Sequence, residues 1–289
     1  MPTAKQIRRR IASVKSTQKI TRAMKMVAAA RLRKAQENIT RMRPYALQTM
    51  RLLSSVAARA GGEEVHPLLA TREQKKVLLL VLTSDRGLAG GFNANINRKA
   101  HRFLDELKDK GVEVTLGTLG RKGNDYFRRR GANIKHNFAG VYDALGPDKA
   151  RQVGDVVIQE YVAAEHDAVY LVYNEFKSAV TQIVVMEQLL PIQPMETAED
   201  EVAADFIYEP SKKALLDTLL PMYVNVEVYR SLLESVASEH GARMTAMENA
   251  TKNAGEMIDR LTLQMNRARQ AAITKELMEI IGGAEALKG

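Results

Sequence analysis

Two long apolar stripes at helical spacing, one at each end of the chain, constrain the fold most. In the first, Ile7, Ile11 and Val14 step by four and three, and a polar break follows at Ser16, Thr17 and Gln18. The stepping resumes at Ile20, Met24 and Val27, and a neighbouring stripe runs through Ala28, Leu32, Ala35, Ile39 and Met42. Such spacing puts side chains on one face of a helix. Pro44 is a candidate kink, and Leu47, Met50, Leu53 and Ala57 continue the pattern until Gly61-Gly62 stops it. In the second, Leu216, Leu219, Tyr223, Val226 and Leu233 lead into steps of three or four from Val236 to Ala272, and Leu277, Ile280, Ala284 and Leu287 close the run. At 1.5 Å per residue the first helix is ~85 Å long and the second ~115 Å. Two long striped helices that flank one compact segment are expected to pair as an antiparallel coiled coil. The second should then project ~30 Å beyond the first.

The segment between them, 75–192, has another texture. Val77 to Val81 is a continuous apolar run, as suits a strand buried on both faces. Helices are predicted over Phe92–Lys110, Arg121–Arg130 and Pro147–Glu165, the first two closed by Gly111 and Gly131. Strands are predicted over Val112–Leu119, Ile134–Phe138, Ala168–Phe176 and Thr181–Leu190. The alternation predicts a Rossmann-like α/β fold. The last two strands are too close for a crossover and should form a hairpin. The organisation expected is a shaft helix over 1–59, an α/β domain over 75–192, an acidic loop and foot segment over 193–210, and a second shaft helix over 211–289.

Composition removes several kinds of chemistry. There is no Cys, hence no disulfide, thiol nucleophile or thiolate metal site, and the five His form no HxxxH or HExxH pair. No apolar run nears the ~18 residues of a membrane span, and the basic N-terminus lacks the apolar core of a secretory signal. No catalytic or metal-binding set and no cofactor is assigned. The net charge of +9 is uneven: residues 1–59 hold 15 Lys and Arg against Glu37 alone, giving +14, and the remainder carries −5. The N-terminal helix is therefore expected to meet an acidic partner, whether nucleic acid, a membrane surface or a protein.

Three features bear on function. Ser84 to Asn93, SDRGLAGGFN, follows a buried strand and opens a helix, where α/β folds bind phosphate. Its glycines fit neither GxGxxG nor GxxxxGK[ST], so a tight turn is the favoured reading over a nucleotide site. The basic helix could suit DNA, but its apolar stripe runs through the basic region, and it lacks the aromatic residues on which single-stranded nucleic acids stack. The methionines lie at helical spacing and read as core filler rather than a copper site.

Lys19 to Gln36, KITRAMKMVAAARLRKAQ, resembles the N-terminal helix of the F-type ATP synthase gamma subunit, bacterial type. SDRGLAGGFN is similar to that family's first strand-to-helix turn, with Ala89 where many members have Cys. Ile273 to Ala284, ITKELMEIIGGA, resembles its C-terminal signature. The resemblance implies a non-catalytic rotor shaft inside a ring of alpha and beta subunits, with the foot on the epsilon subunit and the proton-driven c-ring. It implies no nucleic acid and no membrane span of its own. It also implies a peripheral place on the cytoplasmic face of a bacterial inner membrane, as the lack of a transit peptide suggests. Contacts to beta subunits are implied at Arg8, Arg9, Lys19, Arg22, Lys25, Arg31, Arg33, Lys34, Arg269 and Gln270. A ring-bearing tip is implied at Ile273, Leu277, Ile280, Ile281 and Leu287, and a foot near the c-ring and epsilon at Tyr208 and Glu209.

Overall fold

A computed structural model describes residues 3–58, 66–143, 145–193 and 211–286. In chain order the elements are α1 (Ala4–Ala58), β1 (Lys76–Leu82), α2 (Phe92–Asp109), β2 (Glu113–Leu119), α3 (Arg121–Arg128), β3 (Ile134–Phe138), α4 (Pro147–Val162), β4 (Ala168–Phe176), β5 (Gln182–Leu190) and α5 (Lys212–Ala286). The chain divides into two compact units, Ala29–Arg243 and Met1–Ala28 with Met244–Gly289.

The larger unit is built on one sheet of order β3-β2-β1-β4-β5. All neighbours are parallel except the β4–β5 hairpin. β1 is central, and Val77 to Leu82 are completely buried, which explains its unbroken apolar run. Alternate side chains take opposite faces. Val77, Leu79 and Val81 pack with Phe92, Ile96, Ala100 and Leu104 of α2 and Phe127 of α3. Leu78, Leu80 and Leu82 share a core with Ala150, Val153, Val157 and Tyr161 of α4.

That second core reaches beyond 75–192. It takes in Leu53 of α1, Leu68, and seven residues of α5: Leu216, Leu219, Leu220, Tyr223, Val224, Val228 and Leu232. The first turns of α5 thus roof the sheet alongside α4. At Gly154 the two helices come so close that a Cβ would collide with the Asn225 side chain. Pro221 lies inside α5 and Pro44 inside α1, and neither ends its helix.

Some predicted ends move. α2, α3 and α4 stop at Asp109, Arg128 and Val162. At α4 the cause is local: Ala164 takes a left-handed φ of 57°, and the Glu165 amide turns back to the Glu160 carbonyl. The larger correction concerns α1. Ile20, Val27 and Leu47, assigned above to the apolar stripe, are 57%, 53% and 45% exposed. The inward positions are Ile7, Ile11, Val14, Gln18, Thr21 and Ala28 in the smaller unit, and Leu32, Ala35, Ile39, Met42, Ala46, Thr49 and Leu53 in the larger. Steps of four and three continue through the expected polar break, so Gln18 and Thr21 belong to the seam.

Candidate functional site

In the smaller unit α1 and α5 run antiparallel, in a register set by polar groups. Thr21 Oγ1 lies 2.8 Å from Thr251 Oγ1, and Gln18 Nε2 donates to the Thr251 carbonyl at 3.4 Å. One turn along, Lys25 Nζ meets a Glu248 carboxylate oxygen at 2.6 Å. That ion pair is largely exposed and adds little stability. Gly255 leaves room for Gln18, whose Nε2 would lie 3.2 Å from a Cβ there. Buried polar groups of this kind fix the register of paired helices.

The register explains where burial ends. The facing threonines have residue numbers that sum to 272, so Ala4, the first residue of α1, falls opposite position 268. Ala268 is half-buried, and every residue from Arg269 to Ala284 is exposed. Ile273, Leu277, Ile280 and Ile281 are 50%, 53%, 68% and 59% exposed. α5 therefore continues to Ala286 without its helical partner. Such apolar side chains gain nothing from packing on a bare helix. Arg269 and Gln270 are also exposed. Leu287, Tyr208, Glu209 and the acidic stretch 195–205 lie outside the described residues.

The basic residues of α1 point mostly outward. Arg8, Arg9, Lys19 and Arg22 in the smaller unit are exposed, as are Arg31, Arg33 and Lys34 in the larger. Among the described residues, Lys25 and Arg33 alone of these candidates make an ion pair; Arg33 bonds to Glu37 at 3.5 Å. In the smaller unit, exposed Ile20, Met26 and Val27 share the outer surface of α1 with Lys19 and Arg22. This mixed basic and apolar face was missed in the sequence because Ile20 and Val27 were placed in the seam. The four-three numbering from Ile7 was the signal that would have found it.

The SDRGLAGGFN turn lies at the carboxyl-terminal end of β1, and several of its polar groups are engaged within the chain. The Ser84 amide donates to Asn93 Oδ1 at 2.9 Å, Ser84 Oγ donates to the Arg86 carbonyl at 2.6 Å, and Asp85 accepts from the Arg121 amide at 3.0 Å. Arg243 of α5 donates to the Gly87 carbonyl at 3.1 Å and pairs with Glu239 at 2.7 Å. His240 beside it is pushed down to about 4, first by burial and then by the charges of Arg243 and Arg31. Leu88 and Gly90 take left-handed φ values of 62° and 56°. Among the described residues no group of His, Asp and Glu is arranged to hold a metal ion. No helix among them is long and apolar enough to cross a membrane.

Comparison with known proteins agrees with this layout. A family model described as ATP synthase matches residues 3–287. An ATP synthase gamma chain of Anaeromyxobacter sp. is 57% identical over 290 residues, covering all of both chains. Among solved structures, a chain from the central stalk and c-ring of the Tetrahymena thermophila mitochondrial ATP synthase has a TM-score of 0.60 at 26% identity. It covers 80% of this chain and 99% of its own. A chain of the Euglena gracilis mitochondrial ATP synthase has a TM-score of 0.67 at 20% identity, covering 98% of this chain and 94% of its own.

Proposed function

The chain belongs to the ATP synthase gamma-chain family, and we propose that it is the central-stalk rotor, coupling proton-driven rotation of a c-ring to ATP synthesis and hydrolysis at an alpha/beta ring. It works as a subunit of that complex without an active site of its own. The nucleotide chemistry belongs to the ring, and this chain changes the affinity of each ring site by presenting a different face to it. A ligand shifts an equilibrium only through differential interaction with its states. The shaft acts as such a ligand, delivered to each site in turn by mechanical work.

The observation that carries this reading is the tip of α5, which outruns the start of α1 by some 18 residues, or ~27 Å, with its isoleucines and leucine uncovered. An apolar sleeve formed by the ring would cover them. Gly282, Gly283 and Ala284 keep the end slim, so that few side chains interlock with the sleeve as the shaft turns. Arg8, Arg9, Lys19, Arg22, Lys25, Arg31, Arg33 and Lys34 supply a basic surface for acidic segments of the beta subunits, and Arg269 and Gln270 bond a beta loop below the tip. Tyr208 and Glu209 stand at the foot, against the c-ring and the epsilon subunit. The complex is peripheral at this chain, on the cytoplasmic face of a bacterial inner membrane.

Co-purification tests it. A tagged chain should bring down nucleotide-hydrolysing subunits in excess over itself, through a large and stable interface. A chain that purifies alone, or with nucleic acid that steep salt dependence releases, would overturn the reading.

A further inference from the structure

Doubly wound sheets take their ligands outside the carboxyl ends of the strands, where the strand order reverses. In this sheet that place lies between β1 and β4, since β2 and β3 extend to one side and β5 to the other. It is filled by α5. Glu234, with its side chain 2% exposed, accepts from the Phe176 amide at 2.9 Å and from Arg43 Nε at 2.9 Å. Arg43 Nη2 donates to the Phe176 carbonyl at 3.0 Å. The last residue of β4 is thus gripped from α1 and α5 together. One turn along α5, Ser238 Oγ donates to the Asn174 carbonyl at 3.0 Å. Five residues further, Arg243 holds the Gly87 and Arg86 carbonyls. Between these points Gly241 presses α5 against the β4–β5 turn, where a Cβ would stand 3.1 Å from the Ala179 carbonyl oxygen.

The hydrophobic effect is non-directional and by itself opposes a small turn or slide of a helix only weakly. Hydrogen bonds to backbone groups weaken steeply as angle and distance change. A buried carboxylate that loses its partners is left as an uncompensated charge, at a large cost. These contacts oppose the slippage that the apolar core beneath them allows. We propose that the crevice at the strand-order reversal works as a torsional lock, in which Arg43, Glu234, Ser238 and Arg243 are positioning residues that make α5 and the sheet turn as one body. The inference rests on the rotor reading and adds to it the place where torque enters the shaft helix.

The test uses the whole complex in membrane vesicles, with ATP hydrolysis and ATP-driven acidification read on the same sample. Arg43→Gln and Glu234→Gln are combined, so that no buried charge is left alone, and Ser238→Ala is added. Loss of acidification with hydrolysis retained is expected. A second variant, Ala179→Cys with Gly241→Cys, staples α5 to the β4–β5 turn. A Cβ at 241 would lie 3.3 Å from the Ala179 Cα, so the two backbones are in contact where the cross-link is placed, and the chain has no other cysteine. Oxidising this staple in the assembled complex should leave hydrolysis and acidification at the values of the same variant reduced, which already carry any effect of the crowded side chain at 241. In the weakened triple variant it should restore acidification, and reduction should abolish it again. If the triple variant assembles and acidifies as the unaltered complex does, the lock is wrong and the rotor reading stands. If the triple variant does not assemble, the staple alone decides: turnover stopped by oxidation would mean that α5 moves in its seat, overturning the lock. An unaltered chain that never joins a coupled complex would sink both.

Discussion

The hydroxyls of Thr21 and Thr251 meet at 2.8 Å across the two antiparallel helices of the smaller unit. The two hydroxyl protons have three acceptors to serve: each other across the seam, the Gln18 carbonyl beside Thr21 and the Met247 carbonyl beside Thr251. Thr21→Val alone should cost about 1 kcal/mol, as the net worth of one hydrogen bond. Thr21→Val with Thr251→Val should recover part of that, because no hydroxyl loses a partner it had across the seam. Denaturant melts of the four chains make the cycle, and strict additivity would show that the hydroxyls are not coupled.

Charge reversal on α1 should separate folding from coupling. Arg31 is exposed, and Arg33 makes only an exposed pair with Glu37. Arg31→Glu with Arg33→Glu should therefore cost on the order of 0–1 kcal/mol in stability, while weakening coupled turnover of the complex. Turnover and assembly equal to the unaltered chain would remove the electrostatic role.

Acid should loosen the seat of α5. His240 is held at about 4 in the folded chain, against 6.5 when unperturbed. Between those values the unfolded chain binds the extra proton, so stability rises with pH. His240 thus contributes fully above about pH 6.5 and loses that contribution as pH falls toward 4, on the order of 3 kcal/mol in all. The lowered His66 and His166 add in the same direction, and Glu227 and Glu239, raised by burial, oppose it. Thermal melts from pH 7.5 to 4.5 should show the decline, shallower in His240→Gln. Equal slopes in the two chains would refute the assignment.

Removing 273–289 should leave the melting temperature of the isolated chain nearly unchanged, since residues 271–284 are exposed and make little packing. In the assembled complex these residues should be protected from hydrogen exchange and in the isolated chain they should not. Fast exchange in both states would remove the bearing role.

The sheet was readable because its signals were local. β3 and β4 fall where predicted, Ile134–Phe138 and Ala168–Phe176, each an apolar run between clear turn residues. The seam of α1 was misread between 16 and 27, because hydropathy alone cannot tell a buried threonine from an exposed one. Thr21 is inside only because Thr251 faces it. The seat of α5 was also missed. From Leu219 to Arg243 that helix has buried or half-buried residues all round. The trace of this in the sequence is the small residues Ser231, Ser235, Ala237, Ser238 and Gly241, which let a sheet and a second helix approach. Tertiary contacts between residues 58 apart, such as Phe176 with Glu234, leave no periodic mark.

The shared core beneath the sheet also sets an order of events during synthesis. Leu78, Leu80 and Leu82 are covered on one side by Leu53 and by α5 up to Leu232. The last strand ends at Leu190, so a nascent chain with all five strands complete has this face of its sheet covered only in part, by α4 and Leu53. That face closes only after a further 42 residues have left the ribosome. At ~5–20 residues per second, the sheet stays open for some seconds, exposed to chaperones and to neighbouring chains, before α5 arrives to close it.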